Sequence, residues 1–334
     1  MKIQMMFGAI TLIGMTLCAA EAEKRTYPCH RLAQAPALDG KMDDEAWKNI
    51  PEATGFYIFP GSGKYALEKQ TSFKAGWTDD AIYLAVRAEE SAPEKLIVKA
   101  KGNDNVWSED NIELLFVPTG ASNYTQLVAS SAGSRWNARE NQQSVGELDV
   151  LDSMTWEVKA VVGKTEWFLE LRIPFAVLMT PAPKEGDEWP VNVARNILTG
   201  PAGERLTCWP LLTKGFNETP NYGRFVFKGV AGDKALDEEK EMNRSYIQYV
   251  HGEIRKFSGK AEKYEKSLTE VKQQESQRKE AEDLLRICEQ TGKLATQSDP
   301  DWRELRVVYC ASLTMRQRCE DCIALGMMEK LFQD

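Results

Sequence analysis

The chain has 334 residues, 43% of them hydrophobic and 28% charged, enough for one substantial core plus a second unit. Its formal charge of -8, with Lys and Arg interleaved among Asp and Glu, excludes the basic field that a nucleic-acid backbone requires.

The first stretch, MKIQMMFGAITLIGMTLCAAEAEK, carries Lys2, an apolar run from Met5 to Leu17 and an Ala20-Glu21-Ala22 cleavage pattern, so residues 1–22 read as a signal peptide. A lipoprotein signal ending at Cys18 is the competing reading, disfavoured because Leu17 is too large for the residue before a lipidated cysteine. No later run reaches the roughly 20 apolar residues that cross a bilayer. The mature chain is therefore expected to be exported, to a periplasm, a cell surface or the medium, without a transmembrane segment.

From Pro28 to Lys228 short alternating runs are separated by Gly, Pro and polar turns. They predict strands near 71–77, 81–89, 111–117, 124–130, 154–162, 166–173, 190–197 and 223–228. In FKAGWTDDAIYLAVRAEE, Ile82, Leu84 and Val86 fall on one side and Tyr83, Ala85 and Arg87 on the other, the pattern of a scaffold strand. Strands at this spacing without intervening helices predict a mainly β domain over 28–229, an antiparallel, immunoglobulin-like β-sandwich.

After Gly229 the composition changes. Ile247, Val250, Ile254, Phe257, Ala261, Tyr264, Leu268 and Val271 lie at gaps of three and four, an apolar stripe on a long helix that lapses at Glu275 and Arg278. TGKLATQSDP then supplies a turn, and Asp301-Trp302-Arg303-Glu304 can begin another helix. Residues 235–332 are thus expected to form an α-helical hairpin, a docking or spacer element able to meet a protein partner.

Removal of the leader leaves Cys29, Cys208, Cys288, Cys310, Cys319 and Cys322, an even number that in an exported chain favours disulfides. Cys29 with Cys208 would tie the start of the β domain to its late loops. A fold-back centred near Asp299 would set Cys288 opposite Cys310, closing a loop of about 21 residues worth a few kcal/mol. Cys319 and Cys322 could bridge locally. A zinc cluster of the last four lacks regular spacing and a nearby histidine, and a redox-active pair lacks the preceding βαβ unit.

Other chemistry is thin. Glu109, Asp110 and Glu113 in WSEDNIELLF offer carboxylates but nothing that sets two of them across a glycosidic bond. His30 and His251, the two histidines, belong to no metal or nucleophile pattern, no axial haem ligand stands out, and PGSGK at 60–64 reads as a turn.

The blocks PALDGKMDDEAWKNI, GWTDDAIYLAVRAEE, NDNVWSEDNIELLFVPTG, WEVKAVVGKTEWFLELRIPFAVL and GDEWPVNVARN, in that order over residues 36–197, resemble the family 9 carbohydrate-binding modules and their wider DOMON-like β-sandwich relatives. The resemblance implies an exported, non-catalytic domain that recognises sugars with aromatic faces and polar side chains, in some members with structural calcium. It places Asp39, Asp43 and Asp44 in an initial acidic turn and Asp104 and Asp110 in a central one. Either turn is a calcium candidate or simply a solvated corner.

A pyranose presents flat C–H faces and an edge of hydroxyls, so exposed indoles beside amides or guanidinium groups would suit it. Trp136, in the polar segment SAGSRWNARE with Asn137 and Arg139, and Trp209, in ERLTCWPLLTKG, are the expected stacking residues. Arg195 and Asn196 are the expected hydroxyl contacts, whereas Trp77, Trp107, Trp156 and Trp167 read as structural. The sequence thus predicts a carbohydrate-binding module for a mono- or oligosaccharide or a polysaccharide chain end. The alternative is a structural or protein-interaction module of an envelope assembly.

Overall fold

The computed structural model describes residues 24–99, 105–140, 148–150, 155–200, 203–232 and 234–332. The expected signal peptide and Asp104 lie outside the described residues. The described residues form thirteen strands: β1 (Thr26–Arg31), β2 (Tyr57–Ile58), β3 (Thr71–Trp77), β4 (Ala81–Glu89), β5 (Asn111–Phe116), β6 (Thr125–Ser130), β7 (Arg135–Glu140), β8 (Leu148–Val150), β9 (Glu157–Val162), β10 (Glu166–Pro174), β11 (Glu188–Asn196), β12 (Leu206–Cys208) and β13 (Gly223–Val230). Helices α1 (Ala235–Val271), α2 (Arg278–Thr296) and α3 (Trp302–Leu331) follow.

The strands join in the order β8-β7-β6-β5-β11-β13-β1-β3-β4-β10-β9, with β12 on β11 and β2 on β12. This corrects the expected immunoglobulin-like pair of antiparallel sheets. The strand that changes the picture is β1, which runs parallel to β13 from Thr26 and parallel to β3 at His30 and Arg31. It thereby stitches two antiparallel halves into one mixed sheet, a nearly closed barrel.

The alternation read in β4 holds: Ile82, Leu84 and Val86 enter the main core, while Tyr83 and Ala85 pack on the outer face against Trp47. Phe73, Ala75 and Trp77 of β3 do the same, sending Ser72 and Lys74 outward.

The expected helical hairpin is three helices, because the lapse near Glu275 is a chain reversal between α1 and α2 rather than a flaw in one long helix. Asp301 caps α3, its Oδ1 accepting from the Arg303 and Glu304 amides at 2.8 and 3.4 Å. Among the described residues no helix is long and apolar enough to cross a membrane.

The disulfides expected from cysteine parity are absent: all six cysteines of the described chain are free thiols. Cys29 lies in the main core and Cys208 in an outer cluster with Leu115 and Tyr222, so the sheet itself separates them. Cys288 packs with Met315, Cys319 and Cys322 between the helices, whereas Cys310 is on the side of α3 that faces β4 and β10. Equal spacing from a turn fixes height along a helix pair but not direction around it.

The helices are fastened to the barrel by buried polar contacts. Asn243 of α1 accepts from the Thr54 amide at 3.0 Å and donates to the Glu52 carbonyl at 2.8 Å. Glu239 accepts from the Glu52 amide at 2.8 Å and from Arg303 of α3 at 2.7 Å. Gly55, at φ +76°, leaves room for the Tyr246 ring, whose Cβ would stand 2.7 Å from any added side chain. Because the amide of Asn243 is fully buried, Asn243→Ala leaves two backbone groups without partners and is expected to cost about 2–3 kcal/mol. The urea midpoint should fall at unchanged slope.

Candidate functional site

Seven of the nine indoles, Trp47, Trp77, Trp156, Trp167, Trp189, Trp209 and Trp302, are buried. Trp107, 48% exposed, and the half-buried Trp136 remain, and they meet edge to face with ring centroids 5.4 Å apart at 75°. Trp107 stands on a 3-10 turn at Val106–Ser108, entered through Asn105 in a left-handed conformation, φ 60°. Val106 fills the core beneath it, which frees the neighbouring indole to face out. Asn111, the first residue of β5, holds that turn by donating to the Val106 and Glu109 carbonyls at 3.1 and 2.9 Å.

From this corner a polar strip crosses the outer face of the sheet. Register pairs Glu113 of β5 with Ala194 of β11 and with Val128 of β6, which pairs in turn with Trp136 of β7. Glu113 and Trp136 therefore point the same way, two strand spacings or about 10 Å apart. Asn196 donates to Asn111 Oδ1 at 3.0 Å and to Glu113 Oε1 at 2.8 Å, and Gln126 donates to Glu113 Oε2 at 2.7 Å.

Glu113 is 6% exposed, and burial raises its carboxyl pKa against the pull of these two amides. The carbonyl oxygens of Asn196 and Gln126 meet no donor from the described residues. Their acceptor capacity, beside a carboxylate and two indole edges, is suited to hydroxyl groups on a ring that also has an apolar face.

Of the expected contacts, Trp136 and Asn196 lie on this face. Arg195, Asn137 and Arg139 point to the other side of the same strands, because neighbouring residues in a strand alternate. Arg195 is fully buried, donating to the Gln70 and Glu89 carbonyls at 3.3 and 2.8 Å and lying 5.6 Å from the Trp167 ring. Asn137 accepts from Trp156 Nε1 at 3.0 Å, and Arg139 reaches Leu178 O at 3.1 Å.

Trp209, expected in an exposed loop, follows β12 straight into the core and is 0% exposed. Trp107, read as structural, is the opposite case. The signal for it was present in NDNVWSEDN, where a lone apolar neighbour beside polar residues can bury only one of the two side chains.

Asp44 accepts from the Ala37 and Ala46 amides and Asp110 from the Ile97 and Leu198 amides, while Asp39 pairs with Lys41 at 3.2 Å. Asp43 is exposed. Among the described residues no three acidic, imidazole or thiol groups converge.

Glu109 and Asp110 are fully buried, with Glu109 accepting from the Lys99 amide, so neither shares an open space with Glu113.

A family model described as carbohydrate family 9 binding domain-like matches residues 38–230. The fold is similar to the crystal structure of a candidate carbohydrate-binding protein from Bacteroides uniformis, at TM-score 0.50 and 13% identity over 61% of this chain and 100% of that one. Two structures of a family 9 carbohydrate binding module from Caldicellulosiruptor kristjanssonii, one with cellotriose and one with glucose, are each 16% identical. Their TM-scores are 0.42 and 0.41, with 64% and 62% of this chain and 97% of each module covered. No curated protein matches the chain. The family match takes in every strand from β2 to β13, and with them the turn that bears Trp107, so the chain belongs to the carbohydrate family 9 binding domain-like family.

Proposed function

We propose that the chain is an exported module that binds a mono- or oligosaccharide, or the end of a polysaccharide, on the strip from Trp107 and Trp136 to Glu113 and Asn196. The family is one of non-catalytic binding domains, and the chain is not a glycoside hydrolase. The observation that carries the reading is the escape of only two of nine indoles from burial and their meeting beside amide oxygens that no described donor fills. Indole contact supplies affinity, and hydroxyl contacts to Asn196, Gln126 and Glu113 supply selectivity.

The test is a glycan array on the mature chain, in calcium and in chelator, followed by calorimetry on the hits. Trp107→Ala and Trp136→Ala should each weaken binding by roughly 30-fold, about 2 kcal/mol, with the urea midpoint little changed. Because burial raises the Glu113 pKa, its carboxylate is lost earlier on acidification than an ordinary one. Affinity should fall as pH drops through that raised value, and Glu113→Gln should flatten the dependence. Hits whose affinity survives both indole substitutions would remove the strip from consideration.

A second reading, a structural or protein-interaction module of an envelope assembly, draws on the apolar side chains exposed at the end of α3, among them Leu325, Met328, Leu331 and Phe332. A blank array together with stable association through this end would favour it.

A further inference from the structure

Away from the indole strip, an open cleft of about 900 Å³ separates the outer face of β3, β4 and β10 from the first half of α3. The volume lies within the range that holds organic ligands. Phe168 of β10 forms part of its floor, and its helical wall carries Val307 and Leu313, which are 69% and 47% exposed although they belong to a helix packed on the barrel.

Most charges around the cleft are already matched. Arg306 pairs with Glu89 at 2.5 Å, Lys69 with Glu90 at 2.5 Å, and Arg303 with Glu52 at 2.8 Å. Glu68 is exposed at the rim.

Two cations stand apart from these pairs. Lys74 Nζ donates to the Trp47 carbonyl at 2.8 Å and meets no carboxylate of the described residues within salt-bridge distance, although Glu52 and Glu239 are near enough to favour its charge. Burial outweighs them and holds its ammonium below the ordinary lysine value. Arg87 touches Glu166 only at 3.8 Å and Ser72 Oγ at 3.5 Å, so its donor fork is far from filled.

The register fixes how these groups sit. Ser72 pairs with Arg87 and Lys74 with Ala85, so Lys74 and Arg87 are diagonal neighbours on one face, roughly 7–8 Å apart at the backbone. Phe168 pairs with Arg87 on the next strand.

We propose that this cleft is a second binding site, for an organic carboxylate whose acid group bridges Arg87 and Lys74 and whose carbon skeleton lies on Phe168 between Val307 and Leu313. A carboxylate can accept two parallel N–H bonds from Arg87, a better partner than Glu166 at its present distance. The apolar walls then give up water to the skeleton. Acid sugars and aliphatic acids share this chemistry, and the site is independent of the indole strip.

The experiment is calorimetry on the full mature chain with digalacturonate in one arm and decanoate in the other, which separates the two sources. Submillimolar binding of either probe is expected, weakened at least 10-fold by Arg87→Gln and by Lys74→Gln and unaffected by Trp107→Ala. Leu313→Glu, on an exposed helix position that folding tolerates, should abolish it. Absence of binding by both probes, or equal binding by the wild type and these variants, overturns the proposal.

Discussion

Trp209→Ala should lower the stability of the chain by about 3–5 kcal/mol, the cost of removing a large aromatic from a closed core. The indole is wholly buried and meets Phe73 edge-on at 5.4 Å, Phe225 at 6.2 Å and Tyr27 at 6.4 Å. Arg25 covers its other side at 5.2 Å. Gly223 lies directly against the six-membered ring, where any Cβ would collide. The backbone is also fixed, the Trp209 amide donating to Val193 O at 2.8 Å, so the walls have little freedom to close over the void.

Urea denaturation should show a much lower midpoint at unchanged slope. Calorimetry corrected for the folded fraction should return the wild-type glycan affinity. A residue that stacked on ligand from an exposed loop would give the reverse result, with affinity lost and the midpoint kept.

How far the sequence reached depended on whether one face of an element is wet. In β4 the period-two pattern separates the two faces, because Arg87 marks the outer side; for 71–77 it gives the strand alone. In β11 it named the strand but could not name the face, since Ala194, Arg195 and Asn196 are all buried, the first and third on the outer side and the second within the core. The strand β7 escaped notice because RWNARE lacks apolar alternation, its inward positions being filled by Asn137 and two arginines that bond inside the barrel.

Trp136 therefore stands half-buried on a strand, where the sequence suggests a loop. Trp209 was misplaced because Pro210 and nearby polar residues describe the loop that follows it. Cysteine parity misleads for a different reason: Cys29 and Cys208 are buried on opposite sides of the sheet, Cys288, Cys319 and Cys322 pack as reduced thiols in one helical cluster, and Cys310 is half-buried apart from them.

Arg195→Ala, one residue from a proposed ligand contact, should likewise cost about 3–5 kcal/mol, as expected when a buried charge is cut from its partners. The guanidinium spans the interior from β11 to β3 and β4, bonding the Gln70 and Glu89 carbonyls and Thr71 Oγ1 and lying 4.0 Å from Glu90. Burial draws its pKa down to about 10, still far above neutrality, so it crosses the core as a cation. Removal strips the Glu89 carbonyl and Thr71 Oγ1 of this donor in a buried interior, while the Gln70 carbonyl keeps the Glu89 amide at 3.0 Å and Glu90 keeps Lys69.

Arg195→Lys should recover little, because an ammonium cannot reproduce a fork that reaches two strands at once. Asn196→Ala provides the contrast. It forfeits bonds to Asn111 and Glu113 at the margin of the outer face, costing about 1–2 kcal/mol of stability, but it should reduce glycan affinity, which Arg195→Ala leaves intact in the molecules that fold. Adjacent residues giving opposite readouts in denaturation and calorimetry would follow directly from strand alternation. Equal loss of affinity at both positions would mean that β11 presents a different face to the ligand.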